Sequence, residues 1–135
     1  MIIERPTMPG LRGSTGVVSI TTAATMTQLY QVTTGRTLQM KKITITNRTA
    51  STTQVTLYQS ASNTGSSPTQ VAPVIYLATG TSIPIREDDI PKAPQNGITG
   101  YLFAEASAAG ASPNDVQVEV EFDEYPSGGT PTTSG

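Results

Sequence analysis

A chain of 135 residues with a net charge of −2 has room for one hydrophobic core and too little length for two ordinary domains. It contains no Cys, no His and no Trp, which removes disulfides, thiolate nucleophiles, Cys-ligated metals and the side chain that titrates unperturbed near neutrality, and with them most familiar hydrolase mechanisms. Only 13% of the residues are charged, whereas Thr and Ser make up roughly a quarter, a composition that suits strands with β-branched, uncharged outer faces better than Lys- and Glu-rich surface helices.

Residues 1–16 place the apolar anchors Ile2, Ile3, Met8 and Leu11 among Pro6, Pro9, Gly10, Gly13 and Gly16. Such a segment cannot form a core of its own and is expected to be an extended arm that docks onto a neighbour. An acidic residue and two prolines interrupt the run that a signal peptide would need, and no apolar stretch reaches transmembrane length, so a soluble protein made in a cytoplasm is expected.

Val17, Val18 and Ile20 open the domain proper, and Thr21–Val32 is a second β-prone segment with Met26, Leu29 or Tyr30, and Val32 as its apolar positions. Thr33-Thr34-Gly35-Arg36 reads as a turn. Beyond it Leu38 and Met40 alternate with Gln39, while Ile43 and Ile45 alternate with Thr44 and Thr46. The two series are out of phase by one residue, so keeping all four side chains on one face calls for a bulge at Lys41-Lys42.

Asn47 to Ser51 is a turn, and Val55 and Leu57 mark the next strand. Asn47-Arg48-Thr49 matches the N-glycosylation pattern, but Asn47 is read as a turn residue. Ser60 to Gln70 is a polar loop expected at one end of the fold. Val71 to Leu77 is β-prone with Pro73 forcing an edge or strand start, Gly80 turns the chain, and Ile83-Pro84-Ile85 is a short edge strand.

Arg86 to Gly97 is a second long connection that Pro91 and Pro94 keep from being a helix. Ile98 to Ala106 is a strand whose Ile98, Tyr101 or Leu102, and Phe103 supply core surface. After a small-residue loop, Val116, Val118, Val120 and Phe122 face in while Gln117, Glu119, Glu121 and Asp123 face out. The final residues, 127–135, have no apolar side chain and read as a flexible tail. The pattern predicts an all-β, single-domain antiparallel β-sandwich over residues 17–126, jelly-roll-like, with about eight strands.

Chemistry is sparse. Glu87-Asp88-Asp89 could supply some oxygen ligands to a cation, but adjacent acids in a Pro-rich loop are usually solvated. Glu119, Glu121 and Asp123 repeat about 7 Å apart on one strand face, a spacing that a glycosidase would use only across a cleft. Charge is unevenly spread: residues 1–86 carry seven cationic side chains against Glu4 alone, and residues 87–135 carry nine acids against Lys92 alone. The cations are scattered singly, so pairing of N-terminal with C-terminal strands, within a sheet or across a subunit contact, is expected rather than nucleic-acid binding. Lys41, Lys42 and Arg48 opposite Glu119, Glu121 and Asp123 are the candidates. Tyr30, Tyr58, Tyr76, Tyr101 and Tyr125 are read as capping sheet edges.

The run LYQVTTGRTLQMKKITITNRTASTTQVTLYQ, with the later NGITGYLFAEASA and VQVEVEFDEY, resembles small virion proteins of tailed bacteriophages over roughly residues 27–126. The resemblance implies a capsid decoration, or cement, protein: a non-enzymatic homo-oligomer, often a trimer, that binds the major capsid protein on the outer surface of the head and needs no cofactor, membrane or nucleic acid. A head–tail or tail appendage that binds a receptor or glycan through Ser60–Gln70 and Arg86–Gly97 is the alternative. The arm lies outside the resemblance. From its own residues, Ile2, Ile3, Arg5, Met8, Leu11 and Arg12 are expected to contact the shell.

Overall fold

The structure, a computed structural model, describes residues 11–86 and 97–126. Ten antiparallel segments build it: β1 (Leu11–Ser14), β2 (Val18–Ile20), β3 (Thr27–Gln31), β4 (Arg36–Asn47), β5 (Thr53–Ser60), β6 (Thr69–Gln70), β7 (Ile75–Leu77), β8 (Ser82–Arg86), β9 (Tyr101–Ala106) and β10 (Val116–Pro126). Among the described residues no helix is long and apolar enough to cross a membrane.

In one sheet β1 and β2 lie end to end along one edge of β10, followed by β4 and β8. In the other, β3, β9 and β5 follow in order, with β6 and β7 end to end along the far edge of β5. Taking each end-to-end pair as one interrupted strand leaves eight positions, and their order is that of a jelly roll. The expected pairing of N-terminal with C-terminal strands is seen in β1, β2 and β4, which all bond to β10.

The core lies between the sheets. Leu38, Met40, Ile43 and Ile45 of β4 and Val116, Val118, Val120 and Phe122 of β10 are buried there against Val55 and Leu57 of β5 and Leu102, Ala104 and Ala106 of β9. The phase slip in β4 is resolved by a bulge. Glu121 pairs with Lys42 and Phe122 with Met40, so Lys41 is the extra residue, as the alternation requires. A second irregularity sits in β3, where Gln28 pairs with Phe103 and Tyr30 with Leu102. Leu29 is the extra residue, so it is buried while Tyr30 also packs on the core, its ring 4.6 Å from that of Phe122.

Two expectations need correction. The sandwich begins at Leu11, not Val17, because Leu11–Ser14 pairs with Glu121–Glu124. Gly13, named among the glycines of the arm, faces the Phe122 ring so closely that an added Cβ would lie 2.9 Å from Cε1. Within Val71 to Leu77 the strand starts after Pro73, at Ile75, and β7 lies on the edge of its sheet as Pro73 requires, while Val71 N–H donates to the Leu57 carbonyl at 3.0 Å. Phe103 is buried on the outer face of its sheet, where the Ser60–Gln70 loop folds over it at Gly65. That loop is therefore partly seated on the sheet instead of hanging free from its end.

The remaining loops gather at the two ends. Those joining β3 to β4 and β5 to β6 share one end, and those joining β2 to β3, β4 to β5, β7 to β8 and β9 to β10 share the other.

Candidate functional site

The candidate charged residues share the outer face of the β10-centred sheet. Alternation along β10 turns Glu119, Glu121 and Asp123 away from the core, and the bulge in β4 brings both Lys41 and Lys42 opposite Glu121. Arg12 Nε donates to Asp123 Oδ1 at 3.3 Å, Lys41 Nζ lies 3.8 Å from Asp123 Oδ2, and Ser14 Oγ donates to Glu119 Oε2 at 2.9 Å. Asp123, expected to face out, is therefore covered and buried. The acids and bases compensate one another within one chain, with Arg12 largely exposed, so each pair adds about 1 kcal/mol or less.

Arg48 does not join this face. It reaches to the other end of the sandwich, where Nε and Nη2 lie 2.7 and 2.5 Å from Asp115 Oδ1, and Nη2 also donates to Ser112 Oγ at 3.2 Å. The Asp115 side chain is fully buried. Burial alone would raise its pKa, but the hydrogen bond and charge of Arg48, together with the nearby Ser19 hydroxyl and backbone N–H, outweigh it and hold the carboxyl below its ordinary value. Its stabilising contribution is thus complete above the unfolded pKa of about 3.9 and is lost as pH falls through the lower folded value. Asp115→Asn is expected to cost about 2 kcal/mol at neutral pH. That deficit should shrink below about pH 4, as the wild type itself protonates; urea denaturation at stepped pH checks both.

Asn47 sits beside this pair and is fully buried. Its Nδ2 donates to the Ser51 and Leu77 carbonyls at 2.8 and 3.1 Å, and its Oδ1 accepts from Thr49 N–H at 3.0 Å and Thr49 Oγ1 at 2.7 Å. Thr79 Oγ1 donates to the Thr49 carbonyl, and Asn47 N–H to the Thr81 carbonyl. One asparagine therefore ties the β4–β5 and β7–β8 loops together. Its amide nitrogen is spent, so the folded protein offers no glycan acceptor there.

The opposite end is built differently. Continuing the inward alternation of β10 past Phe122 reaches Glu124, which is buried. Its Oε1 accepts from Tyr30 Oη at 3.0 Å and its Oε2 from Thr33 N–H at 3.0 Å. Burial pushes the Tyr30 phenol above its ordinary value, and the Glu124 carboxylate pushes it further, so Tyr30 stays a donor. The sequence reading missed Glu124 because it closes an acidic run; its even-numbered place in the alternation was the available signal.

Glu124 thereby anchors the Thr33–Arg36 turn, which with Gln31, Val32, Ala61, Thr99, Gly100 and Tyr101 lines an open groove of about 330 Å³. Val32 N–H donates to the Gly100 carbonyl at 2.8 Å, Arg36 N–H to the Thr33 carbonyl at 2.9 Å, and Thr99 N–H to Gln59 Oε1 at 3.1 Å, so the walls are fixed.

No family model matches the chain, and no curated protein matches it. Ile2, Ile3, Arg5 and Met8, the Glu87-Asp88-Asp89 triplet and the tail lie outside the described residues. Arg12 lies within β1. No cluster of three or more metal-ligating side chains occurs among the described residues.

Proposed function

We propose that this chain is a structural virion protein, a decoration subunit bound to the outer surface of a tailed-phage head. The observation that carries the reading is the jelly-roll strand order, an architecture used by viral capsid and lectin domains, found in a chain whose strand and turn motifs resemble small phage virion proteins. Fold alone is an analogy, and the distribution of polar chemistry adds to it. Asp123 and Asp115 are engaged in intramolecular pairs, and Glu119 and Glu121 lie on a sheet face rather than across a cleft.

The mechanism is mass action. A subunit that binds the assembled shell and not its dispersed parts stabilises the shell by its binding free energy, and a homotrimer multiplies a modest contact into firm attachment. The contact falls to the segment preceding β1, with Ile2, Ile3, Arg5 and Met8, and to the exposed Arg12 guanidinium at the sheet edge.

Because β1 begins at Leu11, the test deletes residues 2–10 only; a longer truncation would remove a strand of the sandwich and confuse unfolding with lost binding. The deleted protein is expected to keep its circular dichroism and oligomer size and to stop co-sedimenting with expanded capsids. Undiminished co-sedimentation overturns the assignment of the contact. Many copies per shell on wild-type capsids support decoration, whereas a few copies would indicate the head–tail or tail appendage.

A further inference from the structure

The two ends of the jelly roll differ in how their polar groups are used. At one end Asn47, Arg48, Thr49, Thr79 and Asp115 bond to each other and to the loops they join. At the other end the groove-lining side chains are left open. No carboxylate pairs with Arg36 among the described residues, Thr34 and Thr99 are exposed, and Tyr101 presents a half-buried ring beside Phe103, with centroids 6.5 Å apart.

We propose that this groove is a binding site for a carboxylated saccharide. Saccharide recognition uses an aromatic face against the apolar side of the sugar ring and hydroxyl and amide groups against its rim. Tyr101 supplies the first, backed by Phe103, and Thr34, Thr99 and Gln31 supply the second. A neutral sugar would leave Arg36 unused. A carboxylate on the ring gives its guanidinium the planar two-oxygen partner that it binds best.

The volume of about 330 Å³ lies at the small end of ligand pockets, which run from roughly 300 to 1,000 Å³, and suits a short saccharide rather than a peptide. The walls need no rearrangement, because Glu124 holds Thr33 and Gly100 holds Val32. The groove lining shares no residue with the proposed shell contact, so each can be tested without the other.

The test uses the full chain labelled with nitrogen-15 and titrated with sodium glucuronate and sodium N-acetylneuraminate, with glucose and sodium acetate as controls. The acidic sugars are expected to shift the amide resonances of Thr33–Arg36 and Thr99–Tyr101 saturably, and each control to bind more weakly. Arg36→Gln is expected to weaken the better ligand by about tenfold or more at unchanged melting temperature and unchanged capsid co-sedimentation, and Tyr101→Ala to weaken it as well. The proposal is overturned if neither sugar moves those resonances, if acetate moves them as strongly as the sugars, or if Arg36→Gln binds like the wild type.

Discussion

Asn47→Ala is expected to lower the unfolding free energy by about 3–4 kcal/mol, among the larger effects available to a single substitution in a domain of this size. The side chain makes four hydrogen bonds from a fully buried position. Each contributes about 1 kcal/mol net, and the groups left behind add their own desolvation cost. The Leu77 carbonyl and the Thr49 amide lose their Asn47 partners in a space closed to solvent, whereas the single Thr49 hydroxyl proton, freed from Asn47 Oδ1, turns to the Ser51 carbonyl 2.8 Å away. Asn47→Asp sharpens the test. It retains both acceptor contacts to Thr49 but turns a carboxylate oxygen toward two carbonyls, so at neutral pH it should be no more stable than the alanine variant. Urea denaturation at constant m value reads both; a loss below about 1 kcal/mol for Asn47→Ala would mean that the hub is dispensable.

Why the alternation could be read and the hub could not follows from where each kind of information sits. Val116 to Phe122 and Leu38 to Ile45 declare their inward faces locally, at a period of two, and the phase slip between Met40 and Ile43 announces the bulge at Lys41 before any partner is known. Glu124 obeys the same alternation, yet its acidity masked its burial. Strand Leu11–Ser14 was hidden by Gly10, Gly13 and Gly16, since the need for Gly13 comes from Phe122, 109 positions away in the chain. Asn47 looks like any turn asparagine; what makes it a hub is the approach of the Leu77 and Thr81 carbonyls from another loop. Arg36 is the mirror case. It was read as part of a turn, and only the convergence of Ala61, Thr99 and Tyr101 around that turn gives it a groove to face.

Gly100→Ala is expected to destabilise the protein by about 3 kcal/mol or more, by a mechanism that a second glycine separates into parts. Gly100 and Gly35 both adopt positive φ, +76° and +84°, a conformation that costs a residue with a Cβ about 1–2 kcal/mol. At Gly35 nothing lies within 4 Å of an added Cβ, so Gly35→Ala should cost that strain alone. At Gly100 the added carbon would collide with the Ser60 carbonyl oxygen and approach Ala61 Cα to 3.2 Å. Both are backbone atoms at the end of β5, which cannot swing aside as a side chain can. Relief requires shifting the 99–101 segment, and with it the Gly100 carbonyl that accepts from Val32 and the ring of Tyr101. Gly100→Ala should therefore lose saccharide binding together with stability, while Gly35→Ala keeps the groove walls in place. Equal losses in the two variants, measured by urea denaturation, would show that the Ser60 backbone yields and that the groove is less firmly built than its hydrogen bonds imply.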